Sequence, residues 1–93
     1  MKFEIQTDNE ESVDTLLLDV EEKTIVLYND EVNTFDFVID SLIKVCKHEP
    51  IQAEQCTILV HFKGRCDVKK GEYDTLEPIC SALLERGLTA EIQ

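Results

Sequence analysis

From Lys23 onward the apolar residues fall into short runs whose period changes from element to element. Thr24-Ile25-Val26-Leu27-Tyr28 is a β-branched and aromatic run closed by Asn29-Asp30, the composition of a strand ending in a loop. Past the loop the period becomes helical. Val38, Leu42, Val45 and Cys46 share one face, Asn33 is placed as an N-cap with Asp36 in the first turn, and a helix is predicted over about residues 34–48. Pro50 suits the first position of a second helix over about 50–63, whose apolar members Ala53, Cys56, Leu59, Val60 and Phe62 lead to Gly64, a left-handed stop. Arg65 to Lys69 alternates and ends at Lys70-Gly71, so it is predicted to be a strand. Asp74 with Glu77 reads as a capping box for a third helix, with Leu76, Ile79, Cys80, Leu83 and Leu84 on one face up to Gly87; Pro78 lies early enough to be tolerated. Leu88, Ala90 and Ile92 alternate as a last strand. The order β-α-α-β-α-β defines an α+β two-layer sandwich, a small antiparallel or mixed sheet covered on one face by three helices.

Charge divides the chain. Of 93 residues, 20 are acidic and 9 basic, a net charge of −11; residues 1–22 hold eight acids and one lysine, and residues 23–93 twelve acids and eight bases. Residues 1–22 are therefore expected to be an acidic flexible extension, and 23–93 the folded core domain. With 43% apolar residues the core can close. The anionic surface disfavours phosphate backbones and anionic lipid headgroups, so neither nucleic acid nor membrane is expected as a partner. No window approaches the roughly 18 to 20 apolar residues of a membrane span, and Met1-Lys2-Phe3-Glu4 lacks the layout of a signal peptide. A cytoplasmic monomer is the expectation.

The four cysteines, Cys46, Cys56, Cys66 and Cys80, show no C-x-x-C pair, whereas structural zinc usually takes two ligands from one tight turn. They read as reduced thiols, mostly in the core, with no metal, no cofactor and no catalytic residue assigned. His48 and His61 are both present, but spacing places neither beside a thiol. Two polar groups stand out. One is the acceptor-rich loop Asn29-Asp30-Glu31-Val32-Asn33; the other is His61, set inside Ile58-Leu59-Val60-His61-Phe62. Taken singly, the loop reads as a solvated turn and the imidazole as a semi-buried histidine. Converging at the rim of an apolar pocket, amide, carboxylate and imidazole would suit an ammonium group, which carries a positive charge and three donors.

The stretch Val26-Leu27-Tyr28-Asn29-Asp30-Glu31-Val32-Asn33-Thr34-Phe35-Asp36-Phe37-Val38, with Val60-His61-Phe62-Lys63-Gly64 downstream and the turn Gly71-Glu72-Tyr73, resembles the ClpS adaptor family over about residues 23–93. The resemblance implies a non-enzymatic adaptor. Such a protein captures N-terminal degradation signals, a free α-amino group followed by a bulky hydrophobic first side chain. It hands their bearers to the N-terminal domain of a Clp AAA+ unfoldase of the ClpA or ClpC type. By match to the family motif, Asn29, Glu31 and His61 would hold the amine. Phe35, Val38, Thr57, Val60 and Leu88 would line the side-chain pocket, with Asp30 and Asn33 at its rim. The acidic segment 1–22 takes the position of the family's extension, implicated in delivery.

The chain departs from the family pattern at Glu31 for Asp, Asn33 for Thr, Thr34 for Pro and Phe35 for Met. The methionine acts in relatives as a gate against β-branched first residues, so Phe35 is expected to narrow the pocket or retune its preference. Thr57, standing where a larger apolar residue is usual, restores volume. Two other readings stay open on the sequence: an interaction domain that inhibits or redirects the unfoldase without binding degradation signals, and a metal or redox module built on the cysteines.

Overall fold

A computed structural model describes residues 21–93; the segment assigned as an acidic extension lies outside the described residues but for its last two. The elements follow in the order β1 (Lys23–Tyr28), α1 (Phe35–Cys46), α2 (Pro50–Lys63), β2 (Arg65–Gly71), α3 (Tyr73–Glu85) and β3 (Thr89–Ile92). The most apolar strand, β1, lies in the centre of a three-stranded sheet of order β2-β1-β3, antiparallel throughout. The inward residues Ile25 and Leu27 of β1, Val68 of β2 and Ala90 of β3 join Leu42, Cys46, Ala53, Cys56, Val60, Leu76, Cys80, Leu83 and Leu88 in one core. The expected α+β sandwich is therefore present, with a purely antiparallel sheet. Among the described residues no helix is long and apolar enough to cross a membrane.

A bulge marks the β1–β2 pairing: Ile25 faces Lys69 and Val26 faces Asp67, leaving Val68 as the extra residue. The bulge turns Val68 into the core and aims its carbonyl at buried His48, whose Nε2 lies 2.7 Å away. A carbonyl only accepts, so Nε2 carries the hydrogen of this bond. His48 thus locks the α1–α2 turn onto β2.

Several element ends differ from those expected. Helix α1 stops at Cys46 because Lys47 adopts the left-handed conformation (φ 62°) and its amide returns to the Leu42 carbonyl. Its N-cap is Thr34, whose Oγ1 accepts from the Phe37 amide at 3.2 Å, and not Asn33. Asn33 is drawn away because its side-chain amide donates to both Asp30 oxygens and to the Gly87 carbonyl, each at 3.0 Å. The capping box at Asp74 and Glu77 is not formed. Tyr73 already begins α3, which places Asp74 in the first turn, where it faces the positive helix end, and Glu72 is the N-cap without a side-chain bond. Leu59, Phe62 and Leu84, read as core-facing by their apolarity, are exposed. Helix α2 matches its predicted bounds, and Gly64 (φ 93°) closes it by donating to the Val60 carbonyl at 2.9 Å.

Candidate functional site

The turn after β1 is organised by one carboxylate. Asp30 Oδ1 accepts from the amides of Val32 (3.0 Å) and Asn33 (3.1 Å), an Asx-type arrangement, and Oδ2 receives the Thr89 hydroxyl at 3.5 Å. Partial burial raises the Asp30 pKa, but the donors from Asn33, Val32 and Thr89 outweigh it and the carboxyl lies below its ordinary range. Asp30 is spent on shaping the loop, and Asn33 on stitching it to Gly87. The loop's other end is held by the Asn29 amide, which donates to the Gly64 carbonyl at 3.0 Å. That bond brings Asn29 beside the last turn of α2, which carries His61.

A cavity of about 160 Å³ opens between this loop, the start of α1, the second half of α2 and the approach to β3. All ten residues expected at the site line it: Asn29, Asp30, Glu31, Asn33, Phe35, Val38, Thr57, Val60, His61 and Leu88. Leu27 and Tyr28 also line it, which the motif did not suggest; strand residues directly before a binding loop are the place to look for such a contribution. Val60, Leu88 and Leu27 are buried and give the floor an apolar character. Thr57 is buried as well and spends its hydroxyl on the Ala53 carbonyl at 2.8 Å, so it brings no unpaired donor into the cavity. Glu31, Asn29 and His61 are exposed, and among the described residues their side chains make no hydrogen bond to another side chain or to the backbone. Phe35 stacks edge to face on His61, with ring centroids 5.3 Å apart at 74°.

This arrangement can seat an apolar group in the cavity while presenting acceptors to a cationic head at its mouth. Engineered cavities of about 150 Å³ take up a benzene molecule, so the volume fits a phenyl or isobutyl group.

Thiol chemistry finds little support in the geometry. Cys46, Cys56 and Cys80 are buried, and Cys66 is half-buried. Burial pushes the Cys46 thiol up to about 11, only partly opposed by Lys69. Burial, together with a contact to Cys56, holds Cys66 well above the ordinary thiol range. Thiols kept protonated at neutral pH are weak nucleophiles and weak metal ligands. Among the described residues no group of three His, Cys, Asp or Glu side chains is placed to hold a metal ion.

Fold and cavity together define a small α+β binding domain. The family model of the ATP-dependent Clp protease adaptor protein ClpS matches residues 20–91, and the chain belongs to that family, one of adaptors in proteolysis and not of catalysts. A solved structure, that of Agrobacterium tumefaciens ClpS2 bound to L-phenylalaninamide, is similar in fold, with a TM-score of 0.73 at 21% identity over 80% of this chain and 96% of that one. Comparison with curated proteins gives no match.

Proposed function

We propose that the protein is a cytoplasmic, monomeric adaptor that binds polypeptides by a free N-terminal amine together with a bulky hydrophobic first side chain. It delivers them to a Clp AAA+ unfoldase through the N-terminal domain of a ClpA- or ClpC-type partner. The observation that carries this reading is the cavity in which an apolar floor meets the acceptor side chains of Asn29, Glu31 and His61 at the mouth. In this reading those three hold the amine, while Phe35, Val38, Thr57, Val60 and Leu88 surround the first side chain. The ligand of the similar Agrobacterium protein, L-phenylalaninamide, combines an α-amine with a benzyl group and so has the chemistry this cavity suits.

The energetics explain why both features are needed. Burying a Leu or Phe side chain contributes about 1.5–3 kcal/mol, so an Ala-initiated peptide should bind roughly tenfold to hundredfold more weakly. Acetylating the amine removes its charge and two donors, leaving acceptors unpaired at about 1–3 kcal/mol each.

The test is fluorescence anisotropy with labelled peptides beginning with Leu, Phe, Ile or Ala, each with a free or acetylated terminus. Free Leu or Phe peptides are expected to bind, and the acetylated and Ala peptides to fail. His61→Ala and Glu31→Gln should remove binding while the domain stays folded, with the unfolding midpoint unchanged for Glu31→Gln and lowered only slightly for His61→Ala, since both positions are exposed and His61 gives up only its edge-to-face contacts. Unchanged affinity in both variants would overturn the assignment of the amine site. If no peptide binds, the role contracts to modulation of the unfoldase.

A further inference from the structure

Among the described residues Phe62 takes no part in the core. It lies on the last turn of α2, off the buried stripe of Ala53, Cys56, Thr57 and Val60, and is 75% exposed. A lone exposed phenylalanine would need no comment, but this ring is joined to others. Its centroid lies 4.8 Å from that of His61 at 90°, and His61 lies 5.3 Å from Phe35, itself 40% exposed. Three rings, each edge to face with the next, therefore run from the cavity wall outward over the surface. Both spacings lie within the range at which aromatic pairs attract. The outermost ring leaves most of its surface to solvent and has room for a fourth.

We propose that the row Phe35–His61–Phe62 is a subsite for the second side chain of the bound N-terminus and favours an aromatic residue there. The inference rests on the reading of the cavity as the seat of the amine and first side chain. With the first side chain in the cavity and the amine at Asn29, Glu31 and His61, the peptide leaves the mouth beside His61. Successive Cα atoms are about 3.8 Å apart, so the second residue is still over the rim. An aromatic side chain at that position reaches the Phe62 ring, whereas alanine or glycine does not. The row bears no formal charge except through the imidazole, so it discriminates by ring contact and shape.

The experiment compares otherwise identical free-amine peptides beginning Phe-Phe, Phe-Ala and Phe-Gly, by anisotropy, on the full chain and on Phe62→Ala and Phe62→Tyr. The full chain is expected to prefer Phe over Ala at the second position by roughly threefold to tenfold. Phe62→Ala should erase that preference and leave the affinity for the Phe-Ala peptide unchanged, while Phe62→Tyr, which keeps the ring, should retain it. Equal affinities for all three peptides on the full chain, or a preference that survives Phe62→Ala, would overturn the subsite. So would equal weakening of every peptide by Phe62→Ala, because the ring would then act only by positioning His61. If none of the three peptides binds, the reading of the cavity fails and the subsite with it, a result distinct from uniform binding.

Discussion

At the scale of single residues, Asp30 shows how a side chain can shape a site by withdrawing from it. Its carboxylate gathers the amides of Val32 and Asn33 and the side chains of Asn33 and Thr89, leaving neighbouring Glu31 at the mouth without such ties. Asp30→Ala strands these donors and is expected to cost about 1–3 kcal/mol, a fall of several degrees in the unfolding midpoint. The acid side follows from the lowered pKa. The folded protein favours the ionised carboxyl, so its stabilisation is fully present above the unfolded value of ~3.9 and is lost as pH falls through the lower folded value. Thermal melts between pH 7 and pH 3 should therefore show a smaller stability loss below about pH 4 for Asp30→Ala than for the natural chain. Parallel curves would show that Asp30 does not titrate in this way. The motif carried by the sequence put Asp30 and Asn33 at the rim, and both do line the cavity. It gave no hint that Asn33 would be tied to Gly87 and Asp30 to Thr89, because those bonds need the segment before β3 to come alongside the loop.

At the scale of elements, periodicity located all three helices and all three strands, and the errors fell at their ends. Asn33 and Thr34 are both good caps by chemistry, and only the competing pull of Asp30 and Gly87 on Asn33 leaves the role to Thr34. Asp74 and Glu77 have the spacing of a capping box, but the chain enters the helix two residues too early for them to form it, with Glu72 in the N-cap position. The exposed faces of Leu59, Phe62 and Leu84 were illegible for a related reason, since apolarity marks where a residue can be buried and not whether a partner surface arrives. Nor did any local pattern reveal Arg86. It donates to Ser41 Oγ at 2.8 Å and to Asp40 at 2.9 Å, lies over the Phe37 ring, and so clamps the end of α3 to α1. Helix α3 also carries Pro78 within its span, where the ring cannot donate to the Asp74 carbonyl. Both residues are exposed, so the freed carbonyl can be hydrated, but a helix bond is still missing. Pro78→Ala should restore it and raise stability by about 1–3 kcal/mol, read as a higher unfolding midpoint. An unchanged or lower midpoint would mean that the helix has adapted to the ring.

At the scale of the molecule, capture and handover are proposed to be separate tasks, with the cavity serving the first and the acidic residues 1–22 the second. A chain lacking residues 1–22 is expected to bind Phe-initiated peptides as the full chain does but to fail in promoting degradation of a Phe-initiated substrate by the Clp machinery. Loss of both activities together would contradict the division. The order of the sheet also carries a consequence in time. Strand β1 comes early in the chain, yet it lies between β2 and β3, and the register pairs Ile25 with Ile92 and Tyr28 with Thr89. Contacts between such distant residues form late, because a long loop must close before they gain anything. Leu88, one wall of the cavity, belongs to the same closing segment. A chain cut short of Leu88 therefore lacks both that wall and the strand paired with Ile25 to Tyr28, so the cavity is complete only once β3 is in place.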